Sequence, residues 1–148
     1  HSRAGTSRER LVELHGTNSL IECQTCHQLS DPDAHFDRFR KTRQPPRCVC
    51  GGFLKPATIS FGQNLRPEEL ERAESAARQA DFVIALGSTL SVYPAAGIPL
   101  LAARNGAPYV IINRGLTEHD ELPEVLLRLE GDVADIFPRA VASALAAS

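Results

Sequence analysis

The stretch FVIALGST, Phe82 to Thr89, carries the clearest structural signal in the sequence. Its first five residues are all apolar and include the β-branched pair Val83 and Ile84, which is typical of a strand buried on both faces of a parallel sheet. Gly87 ends the strand. Ligands of parallel sheets bind outside the carboxyl ends of the strands, so we expect Gly87, Ser88 and Thr89 to lie at a binding site.

Around this strand, short apolar runs alternate with alanine-rich amphipathic segments. Further strands are predicted at Ala57–Phe61, Tyr109–Ile112 and Val125–Leu129, although a helix competes for the last. Helices are predicted from Pro67 to about Ala80, from Pro94 to Asn105 with a kink or late start at Pro99, and from the capping residue Asp132 onward. The alternation predicts an α/β fold with a doubly wound, Rossmann-like parallel sheet, and a second strand end at Asn113, Arg114 and Gly115.

Composition restricts the class of protein. The chain has 148 residues, a net charge of −2 and a pI near 6.2, so it can form one domain with a small additional module, and nucleic-acid binding lacks its usual electrostatic basis. No stretch reaches the ~18 apolar residues that a membrane span requires, and the polar first ten residues do not read as a secretory signal. We therefore expect no membrane association and a cytoplasmic location.

A basic run between Arg38 and Arg47 is the local exception to the balanced charge. Most runs of this kind are solvated surface, so we favour a solvated loop over a partner-binding patch.

Four cysteines divide the chain. Cys23 and Cys26 form a C-x-x-C pair, and Cys48 and Cys50 form a C-x-C pair after 21 intervening residues. In an intracellular chain this pattern favours one structural zinc ion over disulfides, with four thiolates closing the tetrahedral shell. We predict a zinc-binding module at residues 17–56, with the alternating strands and helices at residues 57–148. His27 and His35 could replace a cysteine, but exposed polar residues are the favoured interpretation.

His15, in the tetrapeptide ELHG, precedes the first cysteine by eight residues. By itself the residue is ambiguous: it could be a core histidine, a catalytic base or a metal ligand. An isolated histidine is more often structural than catalytic.

Several segments taken together resemble one family. In order and spacing, VELHG, C-x-x-C, CGGFLKPATISFGQNL, ALGSTLSVYPAAGIP, VIINRG and GDVADIFP are similar to the C-terminal part of sirtuins of the bacterial type, which are NAD-dependent protein lysine deacylases. Each segment is weak evidence alone, but the series in register is specific and covers roughly residues 1–140.

The resemblance implies roles for individual residues. His15 matches the catalytic base acting on the ribose hydroxyls of the NAD-derived intermediate, and Cys23, Cys26, Cys48 and Cys50 match the zinc ligands. The residues implied in NAD binding are Gly87, Ser88, Thr89, Asn113, Arg114, Gly115 and Val133. Here Ser88-Thr89 replaces the more frequent Thr-Ser, which leaves open which hydroxyl meets a phosphate.

The resemblance also implies a substrate: an acyl-lysine peptide held as an added strand between two edges. The residues implied are Phe61, Gly62, Gln63, Asn64 and Leu65 on one edge, and Val92 and Tyr93 on the other. Gln63 stands where glutamate is frequent, which should weaken any preference for a basic residue near the target lysine.

Three sirtuin motifs that precede the catalytic histidine are not found in this sequence: the Gly-Ala-Gly phosphate loop, an arginine-containing cofactor loop and Gln-Asn-x-Asp. The resemblance therefore implies that residues 1–16 and 57–148 form an incomplete NAD-binding domain. The chain starts at His1 and contains no methionine, so we expect it to be part of a longer protein. Two alternatives to deacylation remain open. One is an inactive, zinc-stapled binding or dimerisation module that self-associates through its incomplete sheet. The other is an NAD hydrolase or ADP-ribosyltransferase.

Overall fold

The computed structural model describes residues 1–147, and the chain divides into two compact units, His1–Leu70 and a second that begins at Glu71. Two short 3₁₀ turns, Ser2–Ala4 and Arg8–Arg10, precede the regular elements. The strands are β1 (Gly16–Cys23), β2 (Leu29–Ser30), β3 (Leu54–Thr58), β4 (Val83–Leu86), β5 (Tyr109–Asn113) and β6 (Val125–Glu130). The helices are α1 (Pro32–Thr42), α2 (Pro67–Arg78), α3 (Gly97–Arg104) and α4 (Val133–Ala146).

The first unit is built on a three-stranded antiparallel sheet in the order β2-β1-β3. The prediction of a strand at Ala57–Phe61 within the parallel sheet is therefore wrong in both bounds and partner. The strand lies earlier, at Leu54–Thr58, and pairs antiparallel with β1. Strand β1 was not predicted, because only its last residues alternate between buried and half-buried, with Ile21 and Cys23 buried.

Helix α1 carries most of the basic run, which the sequence predicted as a loop. Asp31 caps the helix by accepting a hydrogen bond from the N–H of Asp33 at 2.8 Å, and Pro32 occupies its first position, where no N–H is needed. Arg43 ends it in the left-handed conformation. The five basic residues of the run are all exposed: Arg38, Arg40, Lys41, Arg43 and Arg47. The prediction that the run is solvated is therefore confirmed, whereas the prediction of a loop is wrong for the part that lies in α1.

The second unit contains the parallel sheet, in the order β4-β5-β6. All five residues of the central strand β5 are buried, as the apolar run predicted. On one face, Tyr109 and Ile111 pack with Leu100 of α3 and with Leu90. Ala77 of α2 packs with Ala102 of α3 and Ala107, which confirms the apolar face predicted for α2.

Strand β4 is less buried than its sequence predicts. Ile84 and Leu86 are each 37% exposed and Phe82 is 51% exposed. The reason is positional: β4 pairs only with β5 within residues 1–147, so it is an edge strand, whereas β5 has a partner on both sides.

The remaining predicted elements are confirmed, with ends that differ from the predicted ones by at most three residues. Helix α3 starts late, at Gly97, so that Pro99 lies in its first turn, and the chain leaves the helix through Gly106 at φ 99°. Residues 125–130 form a strand rather than a helix. Asp132 caps α4 by accepting from the N–H of Ala134 at 2.8 Å. No helix within residues 1–147 has the length and apolar character needed to cross a membrane.

Candidate functional site

The four cysteines converge on one point of the first unit. The Sγ atoms all lie within 4.8 Å of one another, with 3.5 Å between Cys23 and Cys50 and 3.6 Å between Cys26 and Cys48. Four sulfurs about 2.3 Å from a tetrahedral zinc ion lie about 3.8 Å apart, so the cluster has the size of a zinc shell. The donor set and its geometry therefore fit a structural zinc ion.

Two backbone features shape this cluster. The N–H of Thr25 points at Cys23 Sγ at 3.4 Å, a donor that favours the thiolate. A Cβ atom on Gly52 would lie 2.6 Å from the Cys23 sulfur and 2.6 Å from Thr25 Oγ1, so only glycine fits at this position.

The ionisation of the thiols shows why a cation suits the cluster. Backbone N–H groups of Cys26 and Thr25 lower the pKa of the Cys23 thiol to about 6. At Cys26 the N–H of Gln28 acts in the same direction, but the other three sulfurs outweigh it and raise the pKa to about 12. Like charges at this separation prevent joint ionisation unless a cation compensates them.

The two histidines of this segment lie outside the metal cluster. His27 Nδ1 contacts Glu22 Oε1 at 2.9 Å, and His35 Nε2 contacts the Ser30 hydroxyl at 2.8 Å. Among the described residues, the group that could hold a metal consists of the four cysteines alone. The interpretation as exposed polar residues is confirmed for His27, whereas His35 is half-buried on α1.

His15 lies just before β1, and its side chain is exposed. Its carbonyl accepts the N–H of Ile59 at 2.8 Å, which fixes the backbone beside the imidazole. The next residue, Gly16, has φ 74°, and a Cβ there would lie 2.1 Å from the Ala57 carbonyl oxygen. Because the imidazole is exposed, His15 is not a core histidine. A ligand can reach the ring, and the backbone that carries it is fixed.

In the second unit, two of the residues implied in NAD binding meet at the carboxyl end of the parallel sheet. Gly87 follows β4 in the left-handed conformation, at φ 61°, and its N–H donates to the carbonyl of Ile112 at 2.9 Å. A Cβ on Gly87 would lie 3.6 Å from Val133 Cγ2. The strand end after β4 and the first turn of α4 are thus adjacent.

Asn113 is buried at the end of β5. Its side-chain N–H groups donate to the carbonyls of Arg114, at 3.3 Å, and Gly115, at 3.1 Å. Its own carbonyl accepts the N–H of Gly131 at 3.1 Å. The amide side chain therefore fixes the shape of the loop that leaves the sheet, a role the sequence did not predict.

Charged pairs hold the same loop from the β6 side. Arg114 pairs with Asp132, and the N–H of Gly115 donates to Glu130 Oε1 at 2.8 Å. Arg128 donates from its guanidinium to the Asn113 carbonyl at 3.1 Å and to Asp120 Oδ1 at 2.8 Å. The sequence analysis did not single out Arg128. An arginine inside the apolar run VLLRLE could have indicated a partially buried arginine with an acidic partner.

A second missed group is the buried histidine His119. Tyr109 Oη lies 3.0 Å from its Nδ1, and Tyr93 Oη lies 3.4 Å from its Nε2. Burial lowers the pKa of His119 and raises that of the Tyr109 hydroxyl. The N–H of the adjacent Glu118 donates to the Thr89 carbonyl at 3.0 Å. One turn therefore contacts both the Gly87–Thr89 segment and Tyr93.

The implied substrate residues are exposed side chains on the surface of their units. Phe61 is 96% exposed, Val92 and Tyr93 are exposed, and Leu65 is half-buried. Residues 61–65 belong to the first unit, and residues 92 and 93 belong to the second.

Ser88 and Thr89, two of the residues implied in NAD binding, are also exposed. The Ser88 hydroxyl accepts from the Leu90 N–H at 3.2 Å, and the Thr89 hydroxyl contacts the Ser91 hydroxyl at 2.9 Å.

A parallel sheet with small and amide residues at its carboxyl end is typical of α/β proteins that bind nucleotides, and the four-cysteine centre of the first unit fits a structural metal ion. The Sir2 family model matches residues 1–94, so the chain belongs to the Sir2 family.

Individual relatives agree with this membership. The chain is 42% identical over 128 residues to NAD-dependent protein deacetylase 1 of Bradyrhizobium diazoefficiens, covering 86% of this chain and 50% of that protein. It is 40% identical over 148 residues to NAD-dependent protein deacetylase 1 of Geobacillus kaustophilus, covering 93% and 58%. The chain therefore spans about half the length of the curated relatives it matches.

Solved structures share the fold. A Sir2 complex with a p53 peptide and NAD⁺ superposes with a TM-score of 0.86 at 32% identity, covering 100% of this chain and 60% of that one. A Sir2 bound to an acetylated peptide gives the same TM-score, identity and coverage.

Proposed function

We propose that the protein containing this chain is an NAD-dependent protein-lysine deacylase. The observation that carries the proposal is membership of the Sir2 family combined with a four-cysteine centre of zinc dimensions. Relatives that match most of the chain are NAD-dependent protein deacetylases. The reaction transfers the acyl group of an acyl-lysine to the ADP-ribose part of NAD and releases nicotinamide.

NAD supplies an electrophilic ribose carbon when bound; this chain supplies groups that position the cofactor. Gly87, whose N–H is already bonded to Ile112, leaves space at the end of β4, and Ser88 and Thr89 are proposed to offer their backbone N–H groups to a phosphate there. Asn113 shapes the loop that meets the adenosine ribose. Val133, 3.6 Å from the Cβ position of Gly87, lies where adenine is proposed to contact the backbone.

His15 is proposed as the general base. An exposed imidazole can take a proton from a ribose hydroxyl through its unprotonated ring nitrogen and return it later, which is the usual task of a histidine in acid–base catalysis. The fixed backbone on either side of His15 limits the positions that the ring can reach, which favours a defined proton acceptor.

The acyl-lysine peptide is proposed to bind at residues 61–65 and at Val92 and Tyr93. Exposed side chains next to strands suit a peptide that adds as a further strand, since the peptide backbone supplies most of the hydrogen bonds. Zinc at the cysteine centre is proposed to be structural, because four thiolates leave no position for water. Residues 17–56 are the proposed zinc module, residues 1–16 and 57–148 the proposed nucleotide-binding part, and the cytoplasm the proposed location.

The test uses the full-length protein, loaded with zinc. It is mixed with NAD and an acetyl-lysine peptide, and nicotinamide release is measured together with the deacetylated peptide. We expect equal amounts of both products, dependent on the peptide. Nicotinamide release that is equal with and without peptide would identify NAD hydrolysis instead, and no release from either mixture would refute the proposal.

A second candidate function is self-association of the isolated 148-residue chain. The observation that favours it is the edge strand β4, in which Ile84 and Leu86 are exposed, together with the exposed Phe82 just before it. Unpaired strand edges with apolar side chains are templates for pairing with another chain. This candidate describes the isolated chain and is compatible with deacylation by the full-length protein.

A further inference from the structure

Lys55 on β3 reaches into the turn that follows the strand. Its Nζ donates to the Thr58 carbonyl at 2.6 Å, to the Ser60 hydroxyl at 3.1 Å and to Gln63 Oε1 at 3.1 Å. An ammonium group has three N–H donors, and three oxygens accept from it here. The side chain is half-buried and defines the shape of the turn at residues 58–63.

The same contacts fix the orientation of the Gln63 amide. Its Oε1 accepts from Lys55 Nζ and also from the backbone N–H of Ser60, at 2.8 Å. Two donors meeting one atom require that atom to be the oxygen, which settles the oxygen and nitrogen ends of the amide. The remaining end of this exposed side chain is an NH₂ group, a donor without acceptor capacity.

The charge of Lys55 is not neutralised by these contacts. Its three acceptors are a carbonyl, a hydroxyl and an amide oxygen, all uncharged. Arg66, the basic residue nearest to Gln63 along the chain, lies 3.3 Å from Glu22 and is balanced by that carboxylate. The turn therefore presents a positive charge and an outward amide donor, where a glutamate at position 63 would pair with Lys55 and cancel its charge.

We propose that Lys55 and Gln63 together select acyl-lysine substrates that carry an acidic residue beside the modified lysine. The proposal rests on the proposed function and on residues 61–65 as the peptide edge. A carboxylate on the peptide accepts hydrogen bonds from the Gln63 NH₂ group and is attracted by the ammonium, whereas a lysine or arginine meets only donors and a like charge. The sequence alone predicted only a weakened preference for basic residues.

The test measures kcat/KM of the full-length, zinc-loaded protein on matched acetyl-lysine peptides. The peptides differ only at the positions flanking the acetyl-lysine, where each carries glutamate, glutamine or lysine in turn. At one flanking position or more, we expect glutamate to exceed glutamine and glutamine to exceed lysine by roughly two- to fivefold per step, the range of exposed ion pairs. The differences should lie mainly in KM and shrink at high salt. Equal rates, or faster turnover of lysine peptides at every position, would overturn the proposal.

Three variants separate the proposed pair from other effects. Gln63→Glu should remove or reverse the preference, because Lys55 is then neutralised and the outward group becomes an acceptor. Lys55→Met should reduce the preference for glutamate peptides without creating one for lysine peptides. Gln79→Glu, the same substitution at an exposed position just after α2, should retain the wild-type order. An unchanged preference in Gln63→Glu would contradict the proposal.

Failure of the proposed function gives a different result from failure of this inference. If no peptide is deacetylated, the deacylase proposal fails. The affinities of the same peptides, labelled and measured by fluorescence anisotropy, then test the preference for glutamate. Tighter binding of glutamate peptides supports the inference without catalysis; equal binding refutes it.

Discussion

At the scale of single residues, His15 and His119 show how context determines the role of a histidine. His15 follows a leucine and lies beside a glycine, which in isolation suggests a core position, yet its side chain is exposed. His119 lies in the polar sequence TEHDE, which suggests a surface, yet it is buried between two tyrosine hydroxyls. Neighbouring residues in the sequence therefore did not indicate the burial of either histidine.

Replacing His15 by alanine is expected to abolish most deacylation while leaving the fold intact. Loss of a general base lowers kcat by about 10²- to 10⁴-fold, and removal of an exposed side chain costs little stability. Steady-state kinetics and thermal unfolding measure the two effects. His27→Ala is the control, since His27 is also exposed in the first unit; comparable loss of activity in both variants would contradict a special role for His15.

His119 is expected to make stability depend on pH. Burial lowers its pKa below the ordinary 6.5, carboxylates of Glu124, Glu118 and Asp120 oppose that shift, and Arg104 adds to it. The unfolded chain then binds more protons than the folded one, so the stabilisation is complete above pH 6.5 and is lost progressively below it. Urea unfolding between pH 7 and pH 5 should show stability falling with pH.

The variant His119→Phe isolates this contribution. It removes the titrating group but leaves the Tyr109 hydroxyl unpaired, so its stability at pH 7 is lower by about 1 to 3 kcal/mol, and the difference narrows towards pH 5. The slope of the unfolding free energy against pH should be flatter between pH 7 and pH 5 than in the wild-type protein. An identical slope would assign the pH dependence to other groups.

At the scale of elements, Gly16 is the residue that permits β1 to pair with β3. Gly16 lies opposite Thr58, and the Ala57 carbonyl occupies the space that a side chain would need, 2.1 Å from the Cβ position. The obstacle is backbone and cannot rotate away. Close approach, as well as the positive φ, requires glycine here.

Gly16→Ala should therefore destabilise the protein more than a glycine substitution at positive φ alone. Gly106 provides the comparison, because its φ is 99° and its Cβ would meet nothing within 4 Å. We expect about 1 to 2 kcal/mol for Gly106→Ala, and roughly 1 to 3 kcal/mol more for Gly16→Ala from the clash. Denaturant unfolding measures both. Equal losses would show that the backbone at Gly16 relaxes.

Removal of the metal should unfold the segment between β1 and β3. Few apolar side chains are buried there, and Phe36, Phe39 and Phe53 are exposed, so the cysteine centre supplies the missing stabilisation. A chelator should increase proteolysis of residues 20–52 and reduce far-UV circular dichroism, and zinc but not magnesium should restore both. Unchanged protease resistance after chelation would exclude a structural zinc ion.

At the scale of the whole molecule, the isolated 148-residue chain is expected to self-associate and to bind NAD weakly or not at all. Strand β4 has an unpaired edge within the described residues, and the motifs that precede the catalytic histidine in sirtuins are not in this sequence. Light scattering and calorimetry test these expectations. A monodisperse monomer, or NAD binding equal to that of the full-length protein, would contradict them.

How far the sequence predicted the structure depended on whether an element could be recognised locally. Strand β5, helix α2 and the Asp132 cap were correct, because a continuous apolar run, an alanine stripe and a capping side chain are local signals. Strand β1 and helix α1 were missed. Their hydrophobic pattern is weak because a metal centre, rather than apolar burial, is suited to stabilising that segment.

The sequence by itself determined the family, the cysteine set and the order of the second unit, since spacing and apolar runs are properties of the chain. Tertiary structure decided what depends on atoms distant in sequence. The antiparallel pairing of β3 with β1, the burial of His119 and the occupation of the Gln63 oxygen by Lys55 all follow from contacts between separate segments. Such contacts leave no periodic mark in the sequence, because each depends on the path of the backbone between the partners.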